Sequence, residues 1–207
     1  MQLKERVRIV TEILDATFPV PQSGLNYSTP YTLLIATLLS AQCHDDQVNR
    51  VAPNLFKVAD TPFKMQQLSE KEIGALIYSC GFYHTKARFI KQLSQQLCDH
   101  YAGQVPLSFE ALEQLPGVGH KTASVVLGHI TKTPTFPVDT HIQRLAVRWQ
   151  LCSVNSVYAI EKALKSIFPE NLWFKRHLQM ISYGRKFCNR NACRPEQFCA
   201  ICSRINA

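Results

Sequence analysis

Leu115-Pro116-Gly117-Val118-Gly119-His120-Lys121 reads as a hairpin between two helices, and Asp139 follows Lys121 by 18 positions. Ser108 can cap a short first helix whose apolar positions Leu112 and Leu115 point one way, and Pro116 cannot continue that helix. Gly117 and Gly119 permit backbone angles closed to other residues, and a second helix can run from about His120 through Ala123, Val126, Leu127 and Ile130. The loop and the first turn after it leave backbone N–H groups at the positive end of a helix dipole, which is a seat for a phosphate. Lys121 beside that seat is what makes the stretch more than a turn.

Working outward, helical spacing recurs almost everywhere. Leu3, Val7, Val10 and Leu14 form one face of an opening helix that stops before Phe18-Pro19-Val20-Pro21. Tyr31 to Ala41 is apolar on nearly all sides, the pattern of a central buried helix, and its end turns abruptly polar at Ser40-Ala41-Gln42-Cys43-His44-Asp45-Asp46. Further helices are expected over about 48–58, 61–68, 70–78 and 85–101. Between the last two, Cys80-Gly81-Phe82-Tyr83-His84 is a glycine turn expected to expose two aromatic rings. Beyond the hairpin, prolines at 134 and 137 break the chain before Asp139, and a helix follows with Ile142, Leu145, Ala146 and Trp149 inward. Helices over about 154–167 and 172–183 complete the pattern. Convincing alternating strands, repeats and low-complexity segments are lacking, so the fold class is all-α.

A chain of 207 residues can bury a full core. Its formal charge of +8 and pI near 9.1 point first to a polyanionic partner. The run from Leu33 to Leu39 is too short to span a membrane, and no apolar segment follows the charged N-terminus, so neither a membrane location nor a secretion signal is expected. A reducing, cytoplasmic compartment follows. There, Cys188, Cys193, Cys199 and Cys202, crowded into the last 20 residues with Arg185, Lys186, Arg190, Arg194 and Arg204 among them, suggest metal ligation rather than disulfides. Spacing does not choose the metal, because tetrahedral zinc and an iron–sulfur cluster both accept four thiolates.

Asp139 has two readings. An aspartate at a helix start caps free N–H groups. Together with Lys121 it also permits a specific chemistry. A lysine in the first turn of a helix feels the positive dipole end, and its amine can act as a nucleophile toward a carbonyl or a sugar C1′. A carboxylate nearby can orient that amine and stabilise an oxocarbenium-like sugar.

The residues resemble a known family. Leu33 to Gln42, then Leu115-Pro116-Gly117-Val118-Gly119-His120-Lys121-Thr122-Ala123, then Val138-Asp139-Thr140-His141-Ile142, then Gly184-Arg185 before the cysteines, are similar to endonuclease III, the DNA glycosylase and abasic-site lyase of the helix-hairpin-helix superfamily. The resemblance implies a base-excision-repair enzyme that removes oxidised pyrimidines from duplex DNA and cleaves abasic sites by β-elimination. In that reading Lys121 attacks C1′ and forms a Schiff base, and Asp139 assists the attack. Gln42 fills the gap left by the flipped base, and Phe82 stands where the family has an apolar wedge, usually aliphatic. Gly117, Val118, Gly119, His141, Arg185 and Lys186 contact DNA. The four cysteines hold a [4Fe-4S] cluster, with zinc as the alternative: the intervals here are four, five and two, whereas the family's are six, two and five. The cluster is expected to hold a basic loop on the DNA backbone.

The implied architecture is two helical domains with a cleft between them, 22–133 with the hairpin and 1–21 plus 134–207 with the cluster loop. A monomer associated with the nucleoid is expected. Two other readings are a non-catalytic helix-hairpin-helix DNA-binding module and a monofunctional adenine or mismatch glycosylase, which usually lacks the lysine.

Overall fold

The computed structural model describes residues 1–189, 193–194 and 197–206. Among them the only β feature is an isolated bridge between Arg194 and Gln197, and everything else that is regular is helical. After an opening helix, α1 (Leu3–Thr17), the chain builds one compact unit over Ser23–Thr133, and the residues after it join α1 in a second.

The first unit is built around α2 (Pro30–Leu39). Thr29 and Thr32 close a reciprocal capping box at its start, and Pro30 sits where its missing N–H costs nothing. Nine of its ten residues, Tyr31 to Leu39, are buried, so the helix is covered on all sides. The cover comes from α3 (Asp45–Val58), α6 (Tyr83–Tyr101) and α8 (His120–Ile130). Short helices α4 (Pro62–Met65) and α5 (Glu70–Leu76) pack on α6, and α7 (Phe109–Glu113) packs on α8. Ala87, Ile90, Leu93 and Leu97 are the buried stripe of α6, and the Tyr31 hydroxyl meets Ser94 Oγ at 2.6 Å to tie α2 to it. Each fully buried leucine in such a core contributes roughly 2 kcal/mol.

The second unit packs α1 against α11 (Trp173–Lys186) and α12 (Ala200–Asn206), with α9 (Thr140–Arg148) on α11 and α10 (Val157–Ile167) on α9. Ile9, Val10 and Leu14 bury the apolar face of α1 among Trp149, Leu164, Met180 and Ile205. One polar knot holds α1 to α11. Arg176, 2% exposed, grips Asp15 with both Nη atoms at 2.7 and 2.8 Å, and Gln179 Nε2 donates to the Leu14 and Phe18 carbonyls that end α1. The guanidinium holds the Asp15 carboxyl well below the usual carboxylate range.

Several expected boundaries shift, each for a local reason. The helix expected over 61–68 closes after Met65, because its last residues turn back to bond Lys64 and Met65 carbonyls. The helix expected from 154 starts at Val157, where Ser156 caps it. The last long helix runs on to Lys186, and α12 had no signal in the sequence reading beyond Cys202. No helix of the described residues is long and apolar enough to cross a membrane.

Candidate active site and metal centre

Ser108 Oγ accepts from the Ala111 N–H at the start of α7, as its sequence position predicts, and Leu112 and Leu115 are buried. The chain then turns at Gly117, whose φ of +76° lies in the left-handed region. A Cβ there would stand 2.6 Å from Phe89 Cδ2, so glycine is required both by the angle and by the ring beneath it. Gly119 differs from the expectation. Its φ is −99°, extended backbone that any residue adopts, and a Cβ there would meet nothing within 4 Å. What glycine supplies at the N-cap of α8 is open space in front of the helix start. Val118 is 5% exposed, its side chain turned into the core, so only its main chain is left to meet a ligand. Across the hairpin, His120 stacks on Phe109 with centroids 5.2 Å apart and places Nδ1 2.8 Å from Glu113 Oε1. These contacts clamp α7 to the first turn of α8, where Lys121 stands half-buried.

Asp139 starts α9 and its Oδ1 accepts from the Ile142 N–H at 2.8 Å. The capping reading of this residue is therefore realised, and the cap fixes the carboxylate's direction. His141, in the first turn of the same helix, is half-buried and faces Arg144.

Gln42 and Phe82 share an unusual feature that the sequence did not announce. Both are non-glycine residues in the left-handed region, at φ of 51° and 59°. Such angles cost about 1 kcal/mol or more each and persist only where surroundings enforce them. Both side chains are exposed, Phe82 to 67%. Only one of the two expected rings is presented: Tyr83 opens α6, lies tilted against the His84 ring and packs against the core. The two turns lie side by side, since a Cβ on Gly81 would stand 3.4 Å from the Gln42 carbonyl oxygen. Lys86, 5% exposed, reaches across and donates from Nζ to the Leu39 carbonyl at 2.8 Å, closing the end of α2 just before Gln42. Sequence reading passed over this lysine, although its place on the apolar stripe of α6 was the available signal.

The four C-terminal cysteines converge. Each offers one Sγ, and the four atoms all lie within 4.8 Å of one another, with Cys188 and Cys202 3.7 Å apart. Cys188, Cys193 and Cys202 are buried and Cys199 half-buried, so the donor set is soft, complete and shielded from water. Hydrogen bonds from Cys188 and Cys202 pull the Cys199 thiol down, and the same bonds push Cys188 and Cys202 up. A single tetrahedral ion at about 2.3 Å from each sulfur would place the sulfurs about 3.8 Å apart, and four inward-facing thiols also suit a cluster. The residues present thus fit a metal group.

Two arginines of α9 support this centre. Arg148 Nη1 donates to Cys188 Sγ at 3.5 Å and to the Asn189 carbonyl at 3.0 Å, and Arg144 Nη2 donates to the Cys188 carbonyl at 3.1 Å. Arg185 and Lys186 stand exposed in the last turn of α11, directly before the first ligand, while Arg190 lies outside the described residues.

Comparison with known proteins agrees with this arrangement. Residues 35–170 match the model of the HhH-GPD superfamily base excision DNA repair proteins. Endonuclease III of Treponema pallidum (strain Nichols) is 42% identical over 202 residues, covering 97% of this chain and 96% of its own. The chain belongs to the endonuclease III family. Endonuclease III of Escherichia coli (strain K12) is 38% identical over 188 residues, covering 91% of this chain and 89% of its own. The solved structure of a trapped endonuclease III–DNA covalent intermediate, an estranged-adenine complex, superposes with a TM-score of 0.90 at 35% identity over the whole of both chains. Within the family frame, the supporting arginines were the part of the centre that sequence reading missed. Their spacing of four on one helix face, opposite a cysteine-rich segment, was the only local sign.

Proposed function

We propose that this chain excises oxidised pyrimidines from duplex DNA and then cleaves the abasic site, with Lys121 as nucleophile. It is a base-excision-repair DNA glycosylase with abasic-site lyase activity. The observation that carries the reading is Lys121 in the first turn of the hairpin helix of a chain so similar to an enzyme trapped covalently on DNA.

The chemistry follows from the residue types. The Lys121 amine attacks C1′ of the damaged nucleotide, the base leaves with its bonding electrons, and the amine's proton passes to a base, for which Asp139 is the candidate. The carboxylate also stabilises the positive charge that develops on the sugar. The nitrogen lone pair then forms the C1′=N bond as the C1′–O4′ bond breaks and the ring oxygen takes up a proton, giving a protonated Schiff base. Removal of a C2′ proton then expels the 3′ phosphate by β-elimination.

The main chain at Gly117, Val118 and Gly119 anchors a strand phosphate, and the open space before Gly119 leaves room for it. His141, Arg185 and Lys186 add contacts to the DNA. Gln42 fills the gap left by the flipped base and Phe82 wedges the stack, offsetting part of the few kcal/mol that flipping costs. The units 23–133 and 1–22 plus 134–207 are read as the two domains. The four cysteines hold a [4Fe-4S] cluster, whose contribution when bound is structural, keeping the basic segment after α11 in place. The short sulfur separations are the one observation on the side of zinc, and a colourless, zinc-containing protein in place of a brown one would replace the cluster reading. The enzyme acts as a monomer on nucleoid DNA in the cytoplasm.

The test is borohydride reduction in the presence of an abasic-site duplex. A covalent complex is expected with the native chain and not with Lys121→Gln. Trapping by neither removes the lyase assignment and leaves a monofunctional glycosylase or a plain DNA-binding module, and equal trapping by the variant removes Lys121 as the nucleophile.

A further inference from the structure

The turns that carry Gln42 and Phe82 also carry Cys43 and Cys80, which belong neither to the C-terminal ligand set nor to the excision chemistry. Cys80 is 1% exposed and Cys43 half-buried, and both pack on the core of the 23–133 unit. The two thiols are near enough to act on each other electrostatically. The backbones beside them are held close as well. A Cβ on Gly81, next to Cys80, would lie 3.4 Å from the carbonyl oxygen of Gln42, next to Cys43, and Gln47 Nε2 donates to Ser79 Oγ at 2.5 Å. The Lys86 ammonium completes the cluster, fixed by its bond to the Leu39 carbonyl and acting electrostatically on both sulfurs. A partly accessible thiol near a cation, with a second thiol close by, has the arrangement that reversible oxidation uses: a reacting sulfur and a resolving partner.

We propose that Cys43 and Cys80 are a redox modification site, at which a peroxide converts the thiol pair to a disulfide that staples the Gln42 turn to the Phe82 turn. Cys43, the more accessible of the two, reacts first. It gives up its proton, its sulfur attacks the peroxide O–O bond, and the departing oxygen leaves as water once protonated. The sulfenic acid so formed is then attacked by the Cys80 sulfur. The S–S bond forms, the S–O bond breaks, and the hydroxyl leaves with the Cys80 proton as a second water. Two thiols lose two electrons in all, and one peroxide is reduced to two waters. Burial pushes the Cys80 thiol up to about 11, which suits a resolving partner and not a first nucleophile. Because the two turns already lie side by side, bridging needs little backbone movement.

The consequence for DNA rests on the proposed roles of Gln42 and Phe82. A bridge one residue from Gln42 and two from Phe82 limits how the two side chains separate and reorient on entering a duplex. Oxidation therefore weakens binding to a lesion site, and a thiol reductant restores it.

The experiment exposes the metal-loaded native protein to hydrogen peroxide and maps its peptides without reduction. The expected product is a linked peptide joining Cys43 to Cys80, lighter than its parts by two hydrogens, lost on adding dithiothreitol and not formed by Cys43→Ser or Cys80→Ser. Oxidation of Cys43 to a sulfinic acid with no linked peptide overturns the proposal. In parallel, affinity for an abasic-site duplex is expected to fall about fivefold or more on oxidation, to recover with dithiothreitol, and to be insensitive to the same peroxide in Cys43→Ser. A linked peptide with unchanged affinity would leave the modification site standing and overturn its coupling to DNA. Failure of Lys121 trapping, by contrast, bears on neither readout.

Discussion

Asp139 has one oxygen committed to the Ile142 N–H, and an asparagine at the same place offers an equivalent acceptor. The substitution Asp139→Asn therefore separates the cap from the chemistry. Helix α9 and DNA binding should be retained while excision of an oxidised pyrimidine falls roughly 100-fold or more, the size of a lost general base. Single-turnover excision beside a thermal melt reads both. Excision at the native rate would reduce the residue to a cap. The cap at Asp139 and the roles proposed for Asp139 and Lys121 in the chemistry were suggested by residue type and position. What the sequence could not show was that the cap forms, because that depends on the rotamer the surrounding turn selects.

At the scale of the element, the two glycines of the hairpin do different work, and variants should tell them apart. Gly117→Ala forces a left-handed alanine and drives a methyl into the Phe89 ring, for a loss of roughly 2–4 kcal/mol measured by urea unfolding. Gly119→Ala meets no such obstacle, since its backbone is extended and its Cβ would face open space. Stability should change by less than about 1 kcal/mol. Affinity for duplex DNA should nonetheless fall about tenfold, because the methyl occupies room proposed for a phosphate. Unchanged affinity would move the anchor elsewhere. In the sequence these glycines looked alike; only backbone angles and the ring of α6 beneath one of them distinguish their duties.

On the scale of the whole molecule, two devices secure the unit that joins the chain ends. Removing the carboxylate of Asp15 leaves Arg176 charged and 2% exposed, with Gln179 still beside it. Asp15 itself keeps 40% exposure, which screens the pair, so Asp15→Ala should cost about 2–3 kcal/mol, below the full range for buried pairs. The sign with pH is set by the carboxyl lying below its ordinary value in the folded chain. Its contribution is complete above the unfolded-state value near about 4 and is lost as pH falls below that. Urea midpoints for the native chain and Asp15→Asn should therefore converge between neutral and strongly acid pH. A metal held by the four cysteines is the proposed second device. Stripping it with a chelator should lower the melting temperature and loosen the segment after α11, because ligand binding and local folding are one equilibrium there. An unchanged melt would make the four thiols a bystander.

The all-helical class, the buried character of α2, the hairpin and the cysteine group were all legible in the sequence, because apolar period, caps and turn residues act over a few neighbours. The boundaries of α4 and α10, and the existence of α12, were not, since local propensity there is weak and packing decides. Contacts across long stretches of chain belong to the tertiary structure alone. It brought Arg144 and Arg148 to Cys188, Arg176 to Asp15, and Cys43, Cys80 and Lys86 into one cluster beside Gln42 and Phe82. No periodicity encodes such meetings, for they depend on how whole helices stack. The sequence by itself determined which chemistry this chain carries; packing decided which side chains hold that chemistry in position.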